Sequence, residues 1–272
     1  MSERPLVLAY HAVSSTWPSQ LGSPEARLRE QLAFLRRRGF VGLTAGEAER
    51  RRQCRDLPKR VAVITFDDGF RSILRARPIL ADAGFPATVF VVTSFVDSGD
   101  PLCWYGIEKW SGSSFHDELR PLGWHELELL RDGGWEIGSH SVAHRLLPTL
   151  SDAELGSELT DSRLQLVRRL GVCETIAYPY GRADDRVAVA AAQAGYIAGF
   201  TLTLVQRPDT TFLRPRVELT GDDTGLRLRA RLSRGALAAR RSRAASSAAR
   251  CRRALAPAPA WLPPERASTD IG

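Results

Sequence analysis

The run Val61-Ala-Val-Ile-Thr-Phe66, followed at once by Asp67-Asp68-Gly69, constrains this chain more than any other stretch. Six residues, almost all apolar and four of them β-branched, read as a short strand buried on both faces. Such a strand belongs to a parallel sheet covered by helices. It ends in two carboxylates and a glycine, and the C-terminal ends of strands are where α/β folds build their sites. Asp-Asp-Gly is equally an ordinary solvated turn. Taken alone, the stretch leaves both readings standing.

Around it, strand and helix patterns alternate. Leu6 to Tyr10 reads as a first strand ending at His11. Ser23-Pro24 predicts a helix start, with Ser23 as cap and the helix running to about Arg38. Val41 to Leu43 is a short strand, Thr44 to Arg55 a helix, and Ser72 to Ala83 a helix that Pro78 should kink. Ala87 to Val92 completes a strand–helix–strand unit of the kind that favours parallel pairing with a right-handed crossover. Residues 94 to 122 lose the pattern and read as an insertion over a site face, with Trp104, Tyr105 and Trp110 in it. Trp124 to Arg131 (helix), Trp135 to Gly138 (strand) and a capped helix from Ser151 to Leu170 follow. Thr175 to Ala177 (strand), Asp185 to Ala194 (helix) and Tyr196 to Leu204 (last strand) complete the alternation.

Charge and cysteine usage narrow the function classes. The net charge of +7 is not spread over the chain. Residues 227 to 272 carry 11 arginines against Glu265 and Asp270, a net of +9, which leaves the first 226 residues at −2. The body is therefore not a nucleic-acid binder by charge, and no nucleic-acid partner is expected. The four cysteines are scattered and form no paired motif, so they read as free thiols of a reducing compartment. With no secretory pattern at the N-terminus and no long apolar window, the expected location is cytoplasmic. The domain reading is 1–225 as a catalytic body and 226–272 as a flexible Arg/Ala/Pro-rich basic tail. A solvated extension is the first reading of that tail. Peripheral contact with an anionic membrane through arginines and the stripe Leu226, Leu228, Leu232 and Leu237 is the second.

Three further clusters stand directly after strands, as the Asp pair does. Ser139-His140-Ser141-Val142-Ala143-His144 places two imidazoles at a spacing that lets both reach one metal ion. Satisfied histidines explain most such pairs. Two imidazoles plus one carboxylate, however, is the ligand set of a hydrolytic zinc site. Tyr178-Pro179-Tyr180-Gly181 is a proline–glycine turn, or a rigid turn that aims a backbone N–H at a developing oxyanion. His11 closes the first strand in the same manner.

Thr65-Phe66-Asp67-Asp68-Gly69, then His140-Ser141-x-x-His144, then Tyr178-Pro179-Tyr180-Gly181, in this order, resembles the polysaccharide deacetylases with a NodB-homology domain. The resemblance spans roughly residues 5 to 220. It implies an α/β fold, a distorted (β/α) barrel of the polysaccharide deacetylase type. It also implies a divalent metal, Zn²⁺ first, and hydrolysis of acetyl groups on an N-acetylated glycan. Matched position by position, it implies Asp67 as general base and Asp68, His140 and His144 as metal ligands. The Tyr180 backbone N–H becomes the oxyanion donor.

Two departures accompany it. No histidine follows His144, so the general acid falls to His11 in Leu8-Ala9-Tyr10-His11, a placement that resembles the circularly permuted branch of the family. Ala177 stands where many members carry an arginine that orients the base. Arg216, in Leu213-Arg-Pro-Arg-Val217 after the last predicted strand, is the expected substitute. Two other readings stay open: an amidohydrolase or deformylase on the same scaffold acting on a small or lipid-linked substrate, and a non-catalytic carbohydrate-binding protein.

Overall fold

Strand order explains why the clusters converge. The computed structural model describes residues 4–202 and 209–232. In it, β1 (Leu6–Tyr10), β2 (Val61–Phe66), β3 (Ala87–Val91), β4 (Glu136–Ser139), β5 (Thr175–Ala177), β6 (Ala198–Leu202) and β7 (Arg214–Glu218) follow one another around a closed parallel barrel. Each strand pairs with the next, and both β7 and β2 pair with β1. All seven strands point the same way, so all their C-terminal ends open on one rim. The short strand Val41–Leu43 is an outrigger, sharing with β3 one edge of β2.

Helices α1 (Glu25–Arg37), α2 (Ala45–Gln53), α3 (Ala76–Ala83), α4 (Trp124–Asp132), α5 (Asp152–Leu170) and α6 (Asp185–Gln193) return the chain between strands. The barrel walls are apolar outward: Leu8, Tyr10, Ile64 and Phe66 join Leu28, Leu32, Leu35 and Leu80 of the helices in the main core. A smaller core fills the interior, where Val7, Val63, Phe90 and Phe200 meet Ala45 and Ala48 of α2. Helix α2 is therefore a plug at the lower end. Glu49 on its buried face takes two hydrogen bonds from Arg214, at 2.9 and 3.2 Å. At the same level the Glu136 carboxylate accepts from Thr88, Thr175 and the Gly46 N–H.

Several local expectations shift. Ser23 does not cap α1: it pairs in a two-residue strand with Val13, and Pro24 occupies the cap position without a side-chain bond. Pro78 does not kink a long helix. A 3₁₀ turn over Arg71–Arg75 ends where α3 begins, which puts Pro78 in the first α turn, where a missing N–H costs nothing. The strand expected over Tyr196 to Leu204 is Ala198–Leu202, with 203–208 outside the described residues. It is not the last strand, because Arg214–Glu218 forms β7 and closes the barrel.

The start of the predicted tail forms a short helix, α7 (Gly225–Arg231), whose Leu228 is buried while Leu226 is 81 % exposed. These two leucines thus do not share one apolar stripe. Leu232 is partly buried against the core, and residues 233–272, Leu237 among them, lie outside the described residues. Among the described residues, no helix is long and apolar enough to cross a membrane.

Candidate active site

Every cluster singled out in the sequence ends a barrel strand, so the closed barrel brings them to one pocket. His11, Asp67, Asp68, His140, His144 and Tyr180 all line it. Asp67 is anchored by its own N–H, which donates to the Tyr10 carbonyl at 2.9 Å, and His140 by its N–H to the Val91 carbonyl at 2.8 Å. Beyond those anchors the backbone turns sharply. Asp68, Ser141, His144 and Tyr180 all hold positive φ, at 72°, 67°, 54° and 57°. Non-glycine residues take this conformation at a cost of about 1–3 kcal/mol each, and only where the surroundings enforce it. Gly69, at φ 79°, has only 3.1 Å between an added Cβ and Val91 Cγ1, so its lack of a side chain lets the turn approach β3.

Asp68, His140 and His144 offer three ligand atoms within 4.8 Å of one another, all buried. Each imidazole Nε2 lies 3.3 Å from Asp68 Oδ1. His140 Nδ1 is 2.8 Å from the Ala177 carbonyl, which can only accept. In the neutral ring the proton therefore sits on Nδ1 and Nε2 presents its lone pair. Asp68 Oδ1 is buried without a hydrogen-bond partner. Converging acceptors of this kind are costly unless a cation lies among them. Donors about 2.0–2.1 Å from a tetrahedral centre stand roughly 3.3 Å apart, the separation found between Asp68 Oδ1 and each Nε2. The three residues fit a divalent metal.

The His144 ring is held by aromatic neighbours. Trp104 stacks on it at 4.1 Å between centroids, and Tyr180 meets it edge-on at 4.6 Å. Burial pushes the His144 pKa down, against the opposing pull of Asp68, which favours the neutral ring a metal needs.

Asp67 faces another partner. Arg216 Nη1 donates to Asp67 Oδ1 at 2.6 Å and Nη2 to Oδ2 at 2.7 Å, a bidentate pair that is fully buried. Nη1 also reaches Thr65 Oγ1, and the guanidinium lies over the Phe90 ring at 5.4 Å. Burial alone would raise the Asp67 carboxyl. The charge and hydrogen bonds of Arg216, together with His140 and His11, reverse this and hold it below its ordinary value. Arg216 thus stands beside Asp67 from β7 itself, not from a loop after the last strand.

His11 Nδ1 lies 3.9 Å from Glu218 Oε1 at the upper end of β7. Reading by sequence did not single out Glu218, although the alternation Arg214, Arg216, Glu218 carries the period of a strand facing the interior. Trp104 and Ile107 of the 94–122 insertion also line the pocket, with Leu21 and Leu202. Insertion and β1 loop are tied together above the rim: Ser14 and Thr16 hydroxyls donate to Glu118 at 2.6 and 3.1 Å, and Trp17 packs against Trp110.

A barrel with this rim is a deacetylase scaffold, and the comparisons with known proteins agree. The polysaccharide deacetylase family model matches residues 55–199, and the chain belongs to that family of hydrolases acting on carbon–nitrogen bonds. The poly-β-1,6-N-acetyl-D-glucosamine N-deacetylase of Staphylococcus aureus (strain MSSA476) is 28 % identical over 211 residues, 73 % of this chain and 68 % of that protein. The Escherichia coli (strain K12) protein of the same name is 40 % identical over 73 residues, 26 % of this chain and 11 % of that one. In fold, the chain is similar to the Streptococcus pyogenes deacetylase PplD in complex with acetate, with a TM-score of 0.68 at 24 % identity, covering 84 % of this chain and 97 % of that one. IcaB from Ammonifex degensii is similar too, with a TM-score of 0.64 at 24 % identity, covering 81 % and 94 %.

Proposed function

We propose that this chain removes N-acetyl groups from an N-acetylated amino-sugar polymer of the poly-β-1,6-N-acetylglucosamine class, with Zn²⁺ held by Asp68, His140 and His144. The observation that carries the reading is the unpartnered Asp68 Oδ1, 3.3 Å from two imidazole nitrogens and directly beside the Arg216–Asp67 pair. The names of the Staphylococcus aureus and Escherichia coli relatives suggest the polymer.

When bound, the metal supplies Lewis-acid chemistry, lowering the pKa of water and polarising the acetyl carbonyl. The chain's own residues handle the protons. Asp67, kept ionised and fixed by Arg216, takes a proton from the attacking water as its oxygen bonds to the carbonyl carbon. The Tyr180 N–H, set by the left-handed turn of Pro179-Tyr180-Gly181, donates to the developing oxyanion. His11 delivers a proton to the departing nitrogen as the C–N bond breaks, leaving acetate and a free amine. Glu218 Oε1, 3.9 Å from His11 Nδ1, orients that imidazole at the rim.

The test is acetate release from poly-β-1,6-N-acetylglucosamine oligomers by metal-stripped protein with and without added Zn²⁺. Acetate release only after Zn²⁺ addition supports the reading. Metal uptake with no acetate release from these oligomers or from chitooligosaccharides sinks it.

A further inference from the structure

The His140–His144 loop cannot hold its shape by itself. Two of its five residues, Ser141 and His144, sit in the left-handed region, and every buried N–H it turns inward needs an acceptor. For the two N–H groups at its middle, the acceptor comes from a helix. Glu158 of α5, 6 % exposed, takes the N–H groups of both Val142 and Ala143 on a single oxygen, Oε2, at 2.9 and 3.0 Å. One turn further along α5, Ser162 shares a 2.7 Å hydrogen bond with Ser139, whose Oγ in turn accepts the Ser141 N–H at 3.1 Å. Residues 158 and 162 are four apart and so share a helix face. That face grips the loop at both ends of the strained turn. From the other side, the N–H groups of Thr93 and Ser94 donate to the carbonyls of Ser141 and Val142, at 3.2 and 3.0 Å.

We infer that Glu158 is a positioning residue for the metal site: its carboxylate, by accepting the Val142 and Ala143 N–H groups, fixes the loop geometry that points His140 and His144 at one ion. This rests on the reading of Asp68, His140 and His144 as ligands. Two features make the role more than general support. Charged groups such as Glu are almost never buried without compensation, and here both compensating donors come from inside the ligand loop. Successive N–H groups that converge on one anion also form a nest that has no purpose in a solvated loop. Removing the acceptor there leaves two partly buried donors without their partner between the two ligands, so the loop relaxes where ligand convergence is decided.

The experiment compares Glu158→Gln, whose amide oxygen still accepts both N–H groups, with Glu158→Met, which keeps the bulk and loses the acceptor. Zn²⁺ dissociation constants are measured on metal-stripped protein by chelator competition, with the Co²⁺ absorption spectrum as a second readout and the Tm of the metal-free protein as a control for folding. The Met variant is expected to bind Zn²⁺ about 10–100-fold more weakly and to give an altered Co²⁺ spectrum, and the Gln variant to stay within about 3-fold of the parent. If the Met variant does not fold, Glu158→Asp, which withdraws the carboxylate by one methylene, takes its place with the same expectation. Parent-like Zn²⁺ affinity and Co²⁺ spectrum in the Met variant, whatever its Tm, overturn the inference alone. A Gln variant as weak as the Met variant does the same. A parent chain that takes up no Zn²⁺ overturns the ligand reading, and this inference with it.

Discussion

Arg216 and Asp67 face each other as fork to fork, with Nη1 on Oδ1 at 2.6 Å and Nη2 on Oδ2 at 2.7 Å, across 149 residues of sequence and almost wholly buried. A carboxylate alone at that depth would take up a proton. With the guanidinium beside it, it remains a base. Arg216→Ala is expected to lower the rate of acetate release by at least about 100-fold and to move the acid limb of the pH–rate profile upward, as Asp67 loses the partner that keeps it ionised. Arg216→Lys recovers only part, because one ammonium cannot supply two parallel N–H donors. Steady-state kinetics across pH check both, and an Arg216→Ala rate close to that of the parent would refute the pairing as functional.

The same pair sets a stability prediction. The folded carboxyl of Asp67 is held below its ordinary value, so its contribution is complete above the unfolded pKa of about 3.9 and fades as pH falls through the lower folded value. Asp67→Asn leaves Arg216 charged, buried and without its counter-ion, at a cost of about 3–5 kcal/mol at pH 7. Urea unfolding of parent and variant from pH 7 downward should show a difference that is flat to about pH 4 and then narrows. A gap that widens in acid contradicts the assignment.

Metal removal has its own signature. Zn²⁺ at 100 times its dissociation constant stabilises a folded site by about 2.7 kcal/mol, so chelation is expected to lower Tm and re-addition to restore it. Asp68→Ala and His140→Ala should lose both the bound metal and the Tm response, as elemental analysis and thermal scans would record. A chelator-insensitive parent argues against a metal site.

His11 is expected to matter in proportion to the basicity of the leaving group. His11→Ala should cost about 10²–10⁴-fold on an N-acetyl amide, whose nitrogen must be protonated. It should cost far less on an acetyl ester of an acidic phenol, whose oxygen leaves unaided. Equal losses on both substrates would remove His11 from the role of acid.

Inside the barrel, Gly138 on β4 has no room for a side chain. An added Cβ would fall 2.6 Å from Phe90 Cε1 and 2.9 Å from the Thr175 carbonyl oxygen. Gly138→Ala is expected to cost about 1–3 kcal/mol or more by forcing Phe90, and with it the ring beneath Arg216, out of place. Denaturant titration measures it.

What the sequence made legible follows from which forces act locally. Val61–Phe66 and Ala87–Val91 announce themselves because a doubly buried parallel strand must be apolar along its whole length. The Asp68, His140 and His144 group was legible because Asp68 and His140 come just after strands and His144 lies four residues further on. β7 was hidden: Arg-Pro-Arg-Val-Glu has the composition of a surface loop, and its inward arginines make sense only once Glu49 and Asp67 are across the interior to meet them. Arg216 could be named as the partner of Asp67 but not placed in a strand. Glu218 and Glu158 were invisible for a related reason. Each depends on a contact that tertiary structure creates, between β7 and His11 in one case and between α5 and the ligand loop in the other. The Pro78 expectation failed on local grammar, because a 3₁₀ turn absorbed the helix start.

Closure of the barrel by β7 has a consequence for how the protein comes into being. During synthesis, Asp67, Asp68, His140 and His144 leave the ribosome well before Arg216 and Glu218. Until residues 214–218 dock between β6 and β1, a nascent chain has Asp67 without its counter-ion and an open seam along β1. The strand that completes the wall is the one that delivers both charges. A chain whose seam is still open therefore lacks the Arg216–Asp67 pair, and the candidate site is complete only in the closed barrel.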